Sequence, residues 1–269
     1  MQIQDTMVSV GNDTSIEVRR IRHEQPTGPT LVFLHESLGN ITLWRKFPER
    51  LAEATGFDAL VYNRLGYGES SDEVLARPYD YLEQHGVVWL PRLLDALSIE
   101  DVVLVGHSDG GSIALHAAAA MGVRVRALVT MAAHTYADHL TIKGIQDMKA
   151  RYRETDLREK LKRYHGARTD DLFRAWHTVW LDEGFLASLD FRQSLDAIEC
   201  PSLIIQGEDD GYGVPEQVTD IVDGIGETAR AVFLPDTGHS PHLERPEQIL
   251  NLLCDFLPRE LGVKSAVIS

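Results

Sequence analysis

The stretch Val102–Leu115, VVLVGHSDGGSIAL, limits what this chain can fold into more than any other. Its four leading apolar residues read as a short strand buried on both faces, the pattern of a parallel sheet covered by helices. A helix-like segment, Gly111–Met121, follows at once. Between the two lies Gly106-His107-Ser108-Asp109-Gly110-Gly111. A buried strand that becomes a helix within so few residues needs a very tight turn. At its apex the backbone is strained, and side chains two positions before and after would strike neighbouring backbone, so glycine belongs at both flanks. The serine hydroxyl is then raised above the sheet, at the positive end of the following helix. A phosphate loop would need a lysine after its glycines, and a dinucleotide turn would need G-x-G-x-x-G; neither spacing is present.

The same rhythm runs through the chain. Strands are expected at 16–22, 31–35, 59–63, 102–106, 125–131, 203–206 and 231–234. Helices are expected at 43–55, 81–97, 111–121, 215–223 and 246–257. Pro246 suits a first helical turn, and Ile249, Leu250, Leu253 and Phe256 share one face. Alternation of strand and helix predicts an α/β fold, with a mostly parallel central sheet of about eight strands flanked by helices. From His134 to Ala197 no strand pattern occurs. That segment is polar, basic in KARYRETDLREKLKRYH, then aromatic at Phe173, Trp176, Trp180 and Phe185. It reads as a helical cap, 134–197, inserted in a core made of 1–133 and 198–269, over the sheet edge where open α/β folds bind ligands. The terminal GVKSAVIS reads as a frayed tail.

Length and charge narrow the partners. The chain has 269 residues, enough for a full core, and a net charge of −15. That balance argues against nucleic acid or an anionic membrane, which need clustered cations. No basic leader and no membrane-length apolar run occurs, so a cytoplasmic protein acting on a small molecule is expected. Cys200 and Cys254 have no redox or zinc spacing and read as buried free thiols. No metal-ligand cluster stands out, and neither metal nor cofactor is expected.

A serine hydroxyl needs a general base to act as a nucleophile at neutral pH. Two later segments supply acid and base in matching contexts. SLIIQGEDDGYGVP is a strand running into a turn with Glu208, Asp209 and Asp210. AVFLPDTGHSPHLERP is another strand followed by a turn with His239 and His242. Ser108, acid and histidine thus come off one sheet edge in the order Ser, Asp, His.

With these motifs the chain resembles the α/β-hydrolase family, from Leu31-Val32-Phe33-Leu34-His35 through the serine turn to Gly238-His239 and the last helix. In the family's G-x-x-D pattern the acid is Asp210 rather than Asp209, and its late G-H pair selects His239 over His242, which is then a surface or packing residue. An acid after the strand ending near Met131 is the alternative, and Asp138 lies there. The resemblance thus implies Ser108 as nucleophile, His239 as base and Asp210 as its orienting acid. Aspartate-nucleophile relatives, such as dehalogenases and epoxide hydrolases, are disfavoured by the serine. The resemblance also implies an oxyanion hole from the backbone N–H groups of Asp109 and Ser37. Here HESLGN departs from the family's His-Gly-x, with Glu36 in place of the glycine. Glu36 either turns away to pair with Arg64 or is a solvated loop carboxylate.

The pocket is expected between sheet edge and cap, with Glu36, Trp44, Tyr136, Trp176 and Trp180 against the substrate and Met131, His177 and Tyr212 as further lining candidates. Aromatic lining favours a small or medium apolar acyl group. The expected activity is hydrolysis of a carboxylic ester or lactone through an acyl-serine. Thioester, amide or C–C bond hydrolysis on the same groups, a non-enzymatic small-molecule receptor, and a cofactor-independent oxygenase are the alternatives.

Overall fold

The structure is a computed structural model and describes residues 1–73 and 76–263. Most of the expected terminal tail, 264–269, lies outside the described residues. Eight strands form one sheet: β1 (Gln2–Gly11), β2 (Thr14–Arg22), β3 (Thr30–Leu34), β4 (Ala59–Tyr62), β5 (Val102–His107), β6 (Val125–Met131), β7 (Ser202–Gly207) and β8 (Ala229–Leu234). Their order is β1-β2-β4-β3-β5-β6-β7-β8. Pairing is parallel from β4 to β8, and antiparallel where β2 meets β1 and β4. β3, β4, β5 and β7 are buried along nearly their whole length, as their uninterrupted apolar runs predict. β1 is the strand that the sequence pattern hides. It is a mostly exposed edge strand with polar residues on both faces, so it has little apolar alternation to read.

Helices cover both faces of the sheet. On one side α1 (Phe47–Thr55) packs with the last helix. On the other side lie α2 (Tyr81–Gln84), α3 (Leu90–Ala96) and α4 (Asp109–Met121). The predicted helix 43–55 is broken at Arg45, whose φ of 53° separates a 3-10 turn, Ile41–Trp44, from α1. The predicted helix 81–97 contains a π-helical turn, His85–Trp89, between α2 and α3. There Gly86 passes so close to α4 that a Cβ would come 2.7 Å from the carbonyl oxygen of Ile113.

Between β6 and β7 the chain leaves the sheet for α5 (His139–Glu154), α6 (Leu157–His165), α7 (Thr169–Trp180) and α8 (Glu183–Ser188). α5 and α6 have a narrow apolar side and many charges, with surface ion pairs such as Lys143–Asp147 within α5 and Arg158–Asp170 between α6 and α7. After β7 come α9 (Glu216–Ile225), α10 (Pro241–Glu244) and α11 (Pro246–Leu261), the last with its apolar residues turned to the core as expected. Asp138 caps α5, accepting from the amides of Leu140 and Thr141, and also bonds Val214 and Gln217. These bonds cap α5 and tie it to Val214 in the loop after β7 and to Gln217 on the helix that follows, so Asp138 is not a free acid. Among the described residues no helix is long and apolar enough to cross a membrane. Cys200 and Cys254 are free and half-buried.

Candidate active site

Ser108 lies between β5 and α4 with φ 53° and ψ −121°, a conformation that costs a non-glycine residue about 1–3 kcal/mol. The turn is held by its neighbours. The Ser108 amide donates to Met131 O at 2.9 Å, and the amides of Gly111 and Ser112 donate to Ser108 O at 2.8 and 3.0 Å. Both flanking glycines are sterically required. A Cβ on Gly106 would come 2.3 Å from Gly110 O, and one on Gly110 would come 2.0 Å from Leu34 O. Gly111 packs on Ala133, where a Cβ would approach to 2.8 Å, so the third glycine serves helix packing.

The loops after β7 and β8 bring Asp210 and His239 to this turn. His239 Nε2 is 3.0 Å from Ser108 Oγ, and its Nδ1 lies 2.8 and 3.0 Å from the two carboxylate oxygens of Asp210. With Nδ1–H donating to Asp210, the neutral ring presents an unprotonated Nε2 to the serine. Asp210 is buried, whereas Glu208 and Asp209 beside it are exposed. Burial alone would pull the His239 pKa down, but the Asp210 carboxylate outweighs it and holds the imidazole above its ordinary value. Asp210 is held below the ordinary carboxylate range: burial pushes it up, and the His239 charge with the hydrogen bonds of His239 and the Tyr212 amide more than offsets this.

The loop after β3 lies beside the serine. Among the described residues, neither the Ser37 amide nor the Asp109 amide donates to another protein group, and both residues line the same pocket as Ser108. The carbonyls around Ser37 are fixed. Glu36 O accepts from His35 Nδ1 at 2.7 Å, Arg64 Nη2 at 2.9 Å and the Gly39 amide at 3.0 Å. Ser37 O accepts from the Tyr67 hydroxyl. The His35 tautomer is set as well, because its Nε2 accepts from the Arg64 amide at 3.1 Å.

The Glu36 side chain corrects the expected pairing with Arg64. Its carboxylate faces His107 Nδ1 at 3.4 Å, and Arg64 takes only its backbone carbonyl. Gly39 makes room for this carboxylate, since a Cβ there would come 2.4 Å from Glu36 Oε2. Burial raises the Glu36 pKa, yet the His107 hydrogen bond and charge dominate and hold it well below the ordinary range. His107 Nε2–H in turn donates to His239 O at 2.7 Å. Glu36 and His107 thus join the loops that carry Ser37, Ser108 and His239.

A pocket of about 270 Å³ opens over Ser108 and His239. Trp176 and Trp180 line it as expected, together with Glu36 and Tyr212. Four expected lining residues do not. Trp44 is 1% exposed and packs against Phe33, Phe47 and His242 beneath the site. Met131 is buried in the same core layer. Tyr136 stacks on the Arg192 guanidinium at 4.5 Å, away from the pocket. His177 lies against Phe173 on the outer side of α7. Nothing in residue type separates these four from lining residues. Their burial against other elements decides it. The pocket's unanticipated walls are Ile145 and Met148 on α5 and Leu157 and Leu161 on α6. Their i, i+3 and i, i+4 spacing inside a charged stretch was the available signal. His134, whose Nε2–H donates to Tyr212 O at 2.8 Å, is a further unanticipated wall. A larger cavity of about 480 Å³ lies at the opposite edge of the sheet among Arg20, Arg22, Asp58, Asp101 and Arg126, far from Ser108.

Comparison with known proteins agrees with this architecture. Residues 31–252 match the model of the alpha/beta hydrolase family. A 2-hydroxy-6-oxononadienedioate/2-hydroxy-6-oxononatrienedioate hydrolase of Cupriavidus pinatubonensis is 31% identical over 85% of this chain and 86% of its own. A pimeloyl-[acyl-carrier protein] methyl ester esterase of Aeromonas hydrophila is 24% identical over 86% of this chain and 96% of its own. Among solved structures, the 2-hydroxy-6-oxo-6-phenylhexa-2,4-dienoate hydrolase of Rhodococcus sp. strain RHA1 superposes with a TM-score of 0.77 at 17% identity, over 95% of this chain and 98% of that one. By the family match and by its 31% identical relative, the chain belongs to the alpha/beta hydrolase family and is a hydrolase.

Proposed function

We propose that this protein hydrolyses a carboxylic ester or lactone of a small, apolar substrate through an acyl-serine, with Ser108 as nucleophile, His239 as general base and Asp210 as its partner. The observation that carries this reading is the relay Asp210–His239–Ser108, with 2.8 Å and 3.0 Å contacts, at the floor of a mainly apolar pocket. Ser108 Oγ attacks the carbonyl carbon while His239 Nε2 takes its proton. The oxyanion forms against the amides of Ser37 and Asp109 and the N-terminus of α4. Collapse breaks the bond to the leaving oxygen, which takes the proton back from His239. Water, activated by the same imidazole, then releases the acid. Helices α5 to α8, within 134–197, act as the cap that shapes the acyl site.

A second reading, C–C bond hydrolysis, is favoured by similarity to the Cupriavidus hydrolase. Its named substrate is a dicarboxylate. The pocket here has no lysine or arginine among its described lining residues, and its charged members are Glu36 and Asp109. Two carboxylates would enter it without a counter-charge, at a large desolvation cost. The neutral ester or lactone is therefore the better fit. The test is turnover of short nitrophenyl esters and lactones, with labelling by a fluorophosphonate, in the wild type and Ser108→Ala. Labelling and turnover confined to the wild type are expected. Equal activity in Ser108→Ala would refute the nucleophile, and a preference for dienedioates over esters would favour the second reading.

A further inference from the structure

Arg64 is fully buried just after β4, and its Nε and Nη1 have no hydrogen-bond partner among the described residues. A buried guanidinium is costly unless something nearby needs its charge. Two groups do. Nη2 donates to Glu36 O at 2.9 Å, and Nη1 lies 3.6 Å from Asp109 Oδ2. The peptide joining Glu36 to Ser37 is planar and trans, so its C=O and N–H point in opposite directions. Holding Glu36 O towards Arg64 and His35 therefore turns the Ser37 N–H the other way, on the side where Ser37 lines the pocket. Asp109 contributes the second free amide, and its carboxylate is what Arg64 faces. The same carboxylate accepts from the Tyr81 hydroxyl at 2.8 Å, and that hydroxyl accepts from Trp180 Nε1 at 2.8 Å. A pocket-lining side chain of α7 is thereby linked, through Tyr81 and Asp109, to Arg64.

We propose that Arg64 is the positioning residue of the oxyanion hole: one buried guanidinium aims the Ser37 amide through the Glu36 carbonyl and steadies the Asp109 turn through its carboxylate. Tyr81 completes the arrangement from the other side of Asp109. The proposal rests on the reading of Ser37 and Asp109 as oxyanion donors. It gives the Asp109 side chain a role beside that of its amide, and explains why a cation with unfilled donors is enclosed here without touching substrate.

The test compares the wild type with Arg64→Lys and Tyr81→Phe, each first checked for folding by thermal melting. With a nitrophenyl ester, Arg64→Lys is expected to lower kcat by about 10- to 100-fold, less than the loss of a whole oxyanion donor, with KM changed by less than about 2-fold. Tyr81→Phe, which removes only a hydroxyl, is expected to lose about 3- to 10-fold in kcat. Affinity for an alkyl boronic acid, which forms a tetrahedral adduct on Ser108, should fall in step with kcat. A purely structural role would lower the melting temperature and leave kcat and boronate affinity of the folded protein unchanged. That result, or a change in KM alone, overturns the proposal. Should Arg64→Lys fail to fold, Tyr81→Phe carries the same two readouts, and wild-type values there overturn it. Should the wild type show neither turnover nor fluorophosphonate labelling, the ester reading fails separately. The crystal structure of Arg64→Lys or, if that variant does not fold, of Tyr81→Phe then decides: a rotated Glu36–Ser37 peptide or a displaced Asp109 amide upholds the positioning role, and an unmoved loop overturns it.

Discussion

The two walls of the pocket are built on opposite principles. The sheet-edge wall, made of the loops after β3, β5, β7 and β8, is a closed set of directional bonds: Asp210 to His239, His239 to Ser108, His107 to His239 O, and Arg64 and His35 to Glu36 O. The wall made by α5 to α7 is mainly apolar, with Ile145, Met148, Leu157, Leu161 and Trp176; its polar contacts are those of Thr141, whose hydroxyl donates to Tyr212 O, and Trp180, whose indole N–H bonds Tyr81. Its outer surface is tied by exposed ion pairs, which contribute little. Hydrogen bonds fix angles, while apolar contacts fix only shape and volume. On the function proposed above, chemistry belongs to the first wall and choice of acyl group to the second.

The contrast can be broken by substitutions that move the wrong parameter. The largest effect is expected from Asp210→Asn, which leaves the geometry but allows the wrong His239 tautomer. A loss of about 10⁴-fold in kcat with little change in KM is expected from steady-state ester hydrolysis. A wild-type kcat would show that the polar wall does not run the reaction. The pH profile sharpens the same point. On the proposed mechanism His239 is neutral when it takes the serine proton, so kcat/KM should rise with pH. Because Asp210 holds the imidazole above its ordinary value, the midpoint should lie above the usual histidine figure of about 6.5 and move down in Asp210→Asn. Next, Trp44→Ala should cost about 3–5 kcal/mol in denaturant unfolding, because it empties a core site, yet leave KM of the folded enzyme unchanged. Trp176→Ala on the apolar wall should do the reverse, raising KM for a long-chain nitrophenyl ester about 10-fold with kcat nearly constant, in line with losing about 1–3 kcal/mol of apolar contact. The smallest effect belongs to Tyr136→Phe. Tyr136 lies outside the pocket, so kcat and KM should match the wild type for every ester tried.

Legibility in the sequence follows the same division. Ser108, Asp210 and His239 were singled out because each lies in a turn after a strand pattern, the first two after the buried β5 and β7 and His239 after the partly exposed β8, with glycines beside them. β6 was legible to the residue, Val125–Met131, for a related reason: five of its seven residues are apolar and all but Arg126 are buried. β1 was not, since an exposed edge strand needs no apolar pattern. Trp44 and Tyr136 were misassigned because an aromatic side chain packs equally well in a core, on a guanidinium or against a ligand. Arg64 was noticed, but with the wrong partner. The text of HESLGN and NRLGYGES says that Glu36 and Arg64 lie near each other, not whether a carboxylate or a carbonyl will meet the guanidinium.

Local sequence alone determined most of the order of strands and helices, the turn that bears Ser108 and the turns that bear Asp210 and His239. These depend on short-range sterics and on the burial of contiguous residues, both written in neighbouring letters. Only the tertiary structure decided that Glu36 turns to His107, that Arg64 meets both the Glu36 carbonyl and the Asp109 carboxylate, and that α5 and α6 supply much of the pocket's apolar side. Those outcomes depend on how segments distant in the chain crowd together, and on which buried polar group finds a partner first. The residues involved carry no local mark of that.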